Sequence, residues 1–482
     1  MRNNLYRAIY KSVSGRLATY FVQFFSLAIY ARMFTPEEFG IIASIQVFVV
    51  FFQLIADVGI GPAIINEKEF GVNKRNGVFT VTAILGCIVA ALFYAFSFAL
   101  NEFYDGYQYQ EIAVFVCISI FFSSLNIVPL TAMNKDAKFI HISVVDIIVE
   151  CMSLGLIYIL YQNGLGLLSL ASRPAIQSLF KFIFIFYLSE KTELGRSSFG
   201  KELFHIKSIL GFSIYQFGFN FINYFSRNLD NILIAKYFGM THVGIYDKAY
   251  QLMRYPLMLT TFAMNPAIQP ILTKVRDNKI LVILEHNLLT SRLLAISLPI
   301  SLFIYVNSHS VVLFLFGEQW IKVVPLIEIF SFMIPIQAVS SSSGSFFQVM
   351  NKTKILFFAG SISATVNSAG IAIGIILGDV KYVAIALVIG FSLNFFQTYF
   401  ILFKYCFCES PRVFYLQLVK VLGVMSGPLV LYFYINAYFL TNVAYSVFVD
   451  LLVNCLCGLV ALALFSVPIK RILLTKPLID KV

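Results

Sequence analysis

Charge is what this sequence has least of. Only 12% of its 482 residues are Asp, Glu, Lys or Arg while 59% are hydrophobic, so the chain has too few polar groups to cover a water-soluble surface. Cysteines number seven and are scattered. Cys87, Cys117, Cys151, Cys455 and Cys457 sit in apolar segments, and the close pair Cys406 and Cys408 has no histidine or further cysteine beside it. Neither a disulfide frame nor a metal site is indicated, and no cofactor is expected. There is no Walker motif, no Rossmann glycine fingerprint, no His-Glu-x-x-His and no Gly-x-Ser-x-Gly, so ATP hydrolysis and the usual hydrolytic chemistries lack their parts. Long loops are missing as well, and with them the room for a catalytic domain. The chain reads as a non-enzyme.

What is present is hydrophobic length. A bilayer core about 30 Å thick takes roughly twenty apolar residues of helix, and stretches of that length recur throughout. The expected spans are 13–34, 41–65, 77–100, 111–133, 140–161, 165–188, 208–236, 243–271, 283–306, 323–350, 355–377, 381–403, 417–440 and 443–466. The fold class is therefore an all-α polytopic membrane protein of about fourteen transmembrane helices. The basic N-terminus runs straight into the first span without a cleavage pattern, so it reads as retained.

The net charge of +11 would point to nucleic acid in a soluble protein, but here its distribution gives topology. Of the 35 Lys and Arg, 25 lie in alternate connections, including the N-terminal tail, 191–207 and the segment after Pro468. The opposite connections hold four, Arg32, Lys236, Lys322 and Lys381. This asymmetry places both termini in the cytoplasm, and no nucleic acid partner is expected.

The segment from Ile29 to Ile41 matches that from Leu233 to Ile245 without gaps at an offset of 204, with Ala, a basic residue, Phe, Gly and Ile coinciding. The same offset aligns Pro62-Ala63-Ile64 with Pro266-Ala267-Ile268. Two six-helix lobes in the same orientation follow, related by an axis along the membrane normal, with two helices added. The expected boundaries are an N-terminal lobe at 1–190, a cytoplasmic linker at 191–207, a C-terminal lobe at 208–404, and the last two helices with a tail at 405–482.

Polar residues mark one face of several spans. In the seventh, Ser213, Gln216, Asn220, Asn223, Arg227 and Asp230 fall at steps of three and four. Subtracting 204 gives Ser12, Arg16, Thr19, Gln23 and Ser26 on the equivalent helix. Two such stripes imply a cavity. Gln46, Gln53 and Asp57 extend it from the second span, and Asp247, Lys248, Tyr250 and Arg254 from the eighth, where Pro256 should kink the helix. Charges at membrane depth should face the bundle interior or water. The plainer readings are local neutralisation of Arg227 by Asp230, snorkelling of Arg16, and pairing of Arg16 with Asp57. Asp146 and Lys181, estimated at similar depth, read mainly as a packing pair.

Thr35-Pro-Glu-Glu-Phe-Gly40, Asn228-Leu-Asp-Asn-Ile-Leu-Ile-Ala-Lys-Tyr-Phe-Gly239, and the run from Gly244 through Tyr246-Asp247-Lys248 and Arg254-Tyr255-Pro256 to Leu257 resemble bacterial polysaccharide flippases. The type is that of O-antigen and colanic-acid exporters, within the multidrug/oligosaccharidyl-lipid/polysaccharide exporter superfamily. The resemblance covers most of the chain. It implies a bacterial inner-membrane protein that moves a polyprenyl-diphosphate-linked oligosaccharide from the cytoplasmic to the periplasmic leaflet, in functional contact with polysaccharide polymerase machinery. The diphosphate role then falls on Arg254, Arg227, Arg16 and Lys248. Thr19, Gln23, Gln216, Asn220 and Asn223 supply the sugar path, and Asp57, Asp230 and Asp247 are candidates for ion coupling. A drug or organic-cation antiporter of the same superfamily is the alternative, and a membrane polymerase or glycosyltransferase acting on such lipids is the third reading.

Overall fold

The computed structural model describes residues 2–57, 59–67, 70–203, 224, 228–258, 268, 272–440 and 446–473. Among these the chain is helical throughout its ordered elements, with no strand. Among the described residues nine helices are long and apolar enough to cross a membrane, or ten if the pair bent by 50° at Glu318–Ser331 and Met333–Val349 is one span. The 32-residue α1 (Arg2–Met33) and the 17-residue helix at Arg173–Ser189 occupy two further span positions read from the sequence.

The first compact unit is Met1–Gly244. After α1 come α2 (Pro36–Asp57), α3 (Ile60–Asn66), α4 (Val72–Phe103), α5 (Gln110–Lys135), α6 (Phe139–Gln162), α7 (Leu167–Ala171) and α8 (Arg173–Ser189). The start of α2 is written in Thr35-Pro36-Glu37-Glu38. The Glu38 carboxylate accepts from the Thr35 amide at 2.8 Å, while the Thr35 hydroxyl accepts from the Glu38 amide at 3.3 Å. That reciprocal pair is a capping box, with Pro36 at the first helical position, where no N–H is needed. Helix α5 lies between α4 and α8, α2 packs on α4 and α5, and α1 packs on α6. The α1–α6 contact is close because Gly15 carries no side chain, and a Cβ there would overlap Ser143.

The second unit, Ile245–Val482, takes most of α9 (Met240–Leu257), then α10 (Lys279–Val306), α11 (Thr353–Ile376), α12 (Val380–Ile401), α13 (Arg412–Ile435) and α14 (Val447–Leu464). Four short α-helices and one 3-10 helix from Ser308 to Val349 run between α10 and α11. Its core gathers Phe346, Phe347, Tyr399, Phe403, Phe407 and Phe414. His286 is enclosed among these rings, 4.7 Å from Phe346 and 5.3 Å from Phe414, with Nδ1 3.0 Å from Asn287 Oδ1.

Long rows of apolar side chains stay uncovered. On α4 these are Ile84, Ile88 and Leu92, and on α12 Ile385, Ile389, Leu393, Phe396 and Phe400, each row stepping at about one helical turn. In water such stripes would drive aggregation, whereas against hydrocarbon they need no partner. The protein is a multi-pass membrane protein.

The unit boundary falls beyond the linker at 191–207, so the first unit also contains helical residues 228–238 and the first turn of α9. The cause is visible in two glycines of the internal repeat. A Cβ on Gly40 would overlap the Met240 carbonyl, and one on Gly244 would overlap the Pro36 carbonyl. Both pairs, 40 with 244 and 36 with 240, are related by the offset of 204.

Candidate functional site

On α1, Arg16 is exposed, Gln23 half-buried, and Thr19 and Ser26 buried. Thr19 donates to the carbonyl of Gly15 at 3.1 Å. Of the seventh span's stripe, Ser213, Gln216, Asn220, Asn223 and Arg227 lie outside the described residues. Asp230 is buried, and its carboxylate accepts from the Asn231 amide at 2.9 Å.

In the second unit, α9 presents the other expected charges. Lys248 is buried, sits 3.2 Å from the Asp247 carboxylate, and donates to Gln251 Oε1 at 2.9 Å. Its charge is therefore partly answered on its own helix. Arg254 differs from it, being exposed and having no ion pair among the described residues, with Pro256 two positions on inside the same helix. A guanidinium in that state is available to an anionic ligand.

The charges between α6 and α8 are occupied with one another. Lys181 meets Asp146 at 2.7 Å, Arg173 meets buried Glu150 at 2.8 Å, and Gln177 donates to the second Glu150 oxygen at 2.8 Å. The Arg173 guanidinium also lies over the Tyr30 ring at 4.6 Å. These contacts agree with packing pairs.

Gln53 and Asp57, one turn apart on α2, line a cavity of about 490 Å³ between α2, α3 and α5. Across from them α5 contributes Asn126, Thr131 and Asn134, which the sequence reading passed over. Their signal was there in the steps of three to five residues, but the strong hydropathy of the span concealed it. Pro129 lies among them and supplies no N–H to the carbonyl four residues back, so α5 is locally weakened beside the cavity.

Between α4 and α5, burial raises the phenol pKa of Tyr104 and Tyr109. Tyr107, which donates to Glu37 at 3.1 Å, is raised by burial first and by that carboxylate second. All three keep their hydroxyl protons, and Tyr109 shares a 2.7 Å hydrogen bond with Ser44 of α2.

The last helices hold a further polar set. Ser310 donates to Asp450 at 2.6 Å, Asn436 to Asn454 Oδ1 at 2.6 Å, and Asn307 to the Tyr432 hydroxyl at 2.7 Å. Asp450 is thereby a structural acceptor that ties α14 to the short helix at Ser308–Leu315.

Comparison with solved structures shows the fold. The chain is similar to the lipid II flippase MurJ in an inward closed conformation, with a TM-score of 0.76, 14% identity, and 96% of this chain and 99% of that chain covered. It is also similar to an inward-facing multidrug resistance transporter of the MATE family, at a TM-score of 0.61 and 14% identity over 87% of this chain and 99% of that one. Among curated proteins it resembles the teichuronic acid biosynthesis protein TuaB of Bacillus subtilis, 22% identical over 70% of this chain and 69% of that protein. The lipopolysaccharide biosynthesis protein WzxC of Escherichia coli is 19% identical over 81% of this chain and 79% of its own length. The probable low-salt glycan biosynthesis flippase Agl15 of Haloferax volcanii is 20% identical over 77% and 78%. Residues 29–325 match the family described as polysaccharide biosynthesis protein, and the chain belongs to that family.

Proposed function

We propose that this protein is a flippase that carries polyprenyl-diphosphate-linked oligosaccharide across the bacterial inner membrane, from the cytoplasmic to the periplasmic leaflet, for assembly of a surface polysaccharide. The observation that carries the reading is the exposed guanidinium of Arg254, without an ion pair among the described residues, on a proline-containing helix of a chain in this family. A diphosphate must shed water to cross, and a planar fork that grips two of its oxygens offsets that loss. Arg16, exposed and likewise outside the ion pairs of the described residues, is the second candidate, with Arg227 and Lys248 completing the basic set. Gln23, Gln216, Asn220, Asn223 and Thr19 are assigned to the sugar path. Asp230 and Asp247 are the carboxylates proposed to couple an ion gradient to alternating access.

In this reading both termini and the 191–207 linker are cytoplasmic, the two lobes divide at that linker, and a polysaccharide polymerase receives the product. The test is deletion of the gene in its own host. The account expects surface polysaccharide to disappear and lipid-linked repeat units to accumulate on the cytoplasmic leaflet, both reversed by the wild-type gene and not by Arg254→Gln. The likeness to multidrug transporters favours a second reading, organic-cation export. It would be supported by intact polysaccharide together with new sensitivity to cationic dyes.

A further inference from the structure

We infer that the cavity between α2, α3 and α5 is a sugar subsite for a neutral or amino sugar of the lipid-linked substrate, with Asp57 and Asn126 as its hydroxyl-binding groups. The inference rests on the flippase reading and specifies which part of the substrate meets the first unit.

Size comes first. About 490 Å³ falls within the range of small-ligand pockets, roughly 300–1,000 Å³. A bare cation held by oxygens at about 2.3–2.6 Å needs far less, so the volume argues against an ion as the sole occupant.

Charge comes second. The lining holds one carboxylate, Asp57, and no Lys or Arg, so nothing here answers a diphosphate. An acidic sugar would meet repulsion from Asp57, whereas a neutral sugar offers hydroxyl donors and an amino sugar a cation.

Polarity comes third. Gln53, Asn126, Thr131 and Asn134 surround the carboxylate. Asn126 is only 6% exposed, and its Oδ1 has no hydrogen-bond partner among the described residues. A buried acceptor left in that state is costly, and a lipid tail in the cavity would leave it so. With a turn of its side chain Asn126 would meet a sugar hydroxyl, while Leu54 and Ile127 offer apolar surface to the C–H faces of a pyranose. Asp57 is thus assigned to sugar hydroxyls rather than to a coupling ion.

The test uses the full chain in nanodiscs and three probes: undecaprenyl diphosphate and its galactosyl and glucuronosyl derivatives, with binding read by native mass spectrometry. Wild type should bind the galactosyl probe about tenfold tighter than the bare carrier, and the glucuronosyl probe no tighter than the carrier. Asp57→Asn should remove that discrimination against the glucuronosyl probe. Ser123→Phe, which fills the cavity without touching its charge, should erase the galactosyl advantage, and retained affinity for the bare carrier shows that either variant is folded. Equal wild-type affinity for the carrier and its galactosyl form overturns the subsite and leaves the flippase reading standing. So does a galactosyl advantage that survives both variants. Loss of carrier binding on Ser123→Phe in a protein with unchanged thermal unfolding would mean that the cavity holds the lipid tail, and also overturns it. Failure of wild type to bind any of the three overturns the flippase reading and the subsite together.

Discussion

Arg254 and Glu150 show two fates of a charge in this protein, one exposed and one enclosed. Arg254 is left open, so Arg254→Lys keeps the charge without the planar fork and Arg254→Gln removes both. Surface-polysaccharide export should rank Arg, Lys, Gln, with the Gln variant down about tenfold, the scale of ~1.4 kcal/mol. Export is measured against protein level in the membrane, and wild-type export by a well-expressed Gln variant contradicts the assignment. Glu150 is enclosed by Arg173 and Gln177, so Arg173→Met should destabilise the protein by about 3–5 kcal/mol, because it leaves a buried carboxylate unpaired. Adding Glu150→Gln should restore most of the thermal unfolding midpoint in detergent. If the double variant unfolds as early as the single one, the pair is not the source of the loss. At this scale the sequence was partly legible. Spacing alone brought Asp146 to Lys181, because a single helix-depth estimate decides who can meet whom. It said nothing of how Lys248 turns back onto Asp247 and Gln251, since side-chain direction is not written in spacing.

Among elements, the clearest signals were local. Thr35 to Glu38 spells a helix start, and the structure closes both hydrogen bonds of the box. The internal repeat was equally readable, and its two glycines now have a physical reason, since each faces a backbone carbonyl rather than a side chain. A backbone atom has no rotamer to escape into. Gly40→Ala and Gly244→Ala should therefore each lower stability by about 1–3 kcal/mol, and by similar amounts because the contacts repeat one another. Scanning calorimetry of the purified variants checks this. A neutral Gly244→Leu would contradict the close approach. The α5 face of the cavity was not legible in the same way. Asn126, Thr131 and Asn134 are diluted by apolar neighbours, and only the facing Gln53 and Asp57 show that they belong to one surface.

For the whole molecule, hydropathy and the asymmetry of Lys and Arg carry the argument. The membrane class follows from the rows of uncovered aliphatic side chains, and the all-α form from apolar runs of about twenty residues, roughly twice what a barrel strand needs. Orientation is a prediction of its own. In a cysteine-free background, a membrane-impermeant maleimide applied to intact spheroplasts should label Tyr107→Cys and spare Ser198→Cys, and the reverse pattern would invert every connection. The central claim is transport of a lipid-linked sugar, and transport in a purified system tests it most directly. The protein is reconstituted into liposomes containing undecaprenyl-diphosphate-galactose, and exposure of the sugar on the outer leaflet is followed with galactose oxidase. The account predicts movement that depends on the protein and falls about tenfold in Arg254→Gln. Liposomes in which the lipid-linked sugar stays put, while ethidium is transported by the same protein, would contradict it.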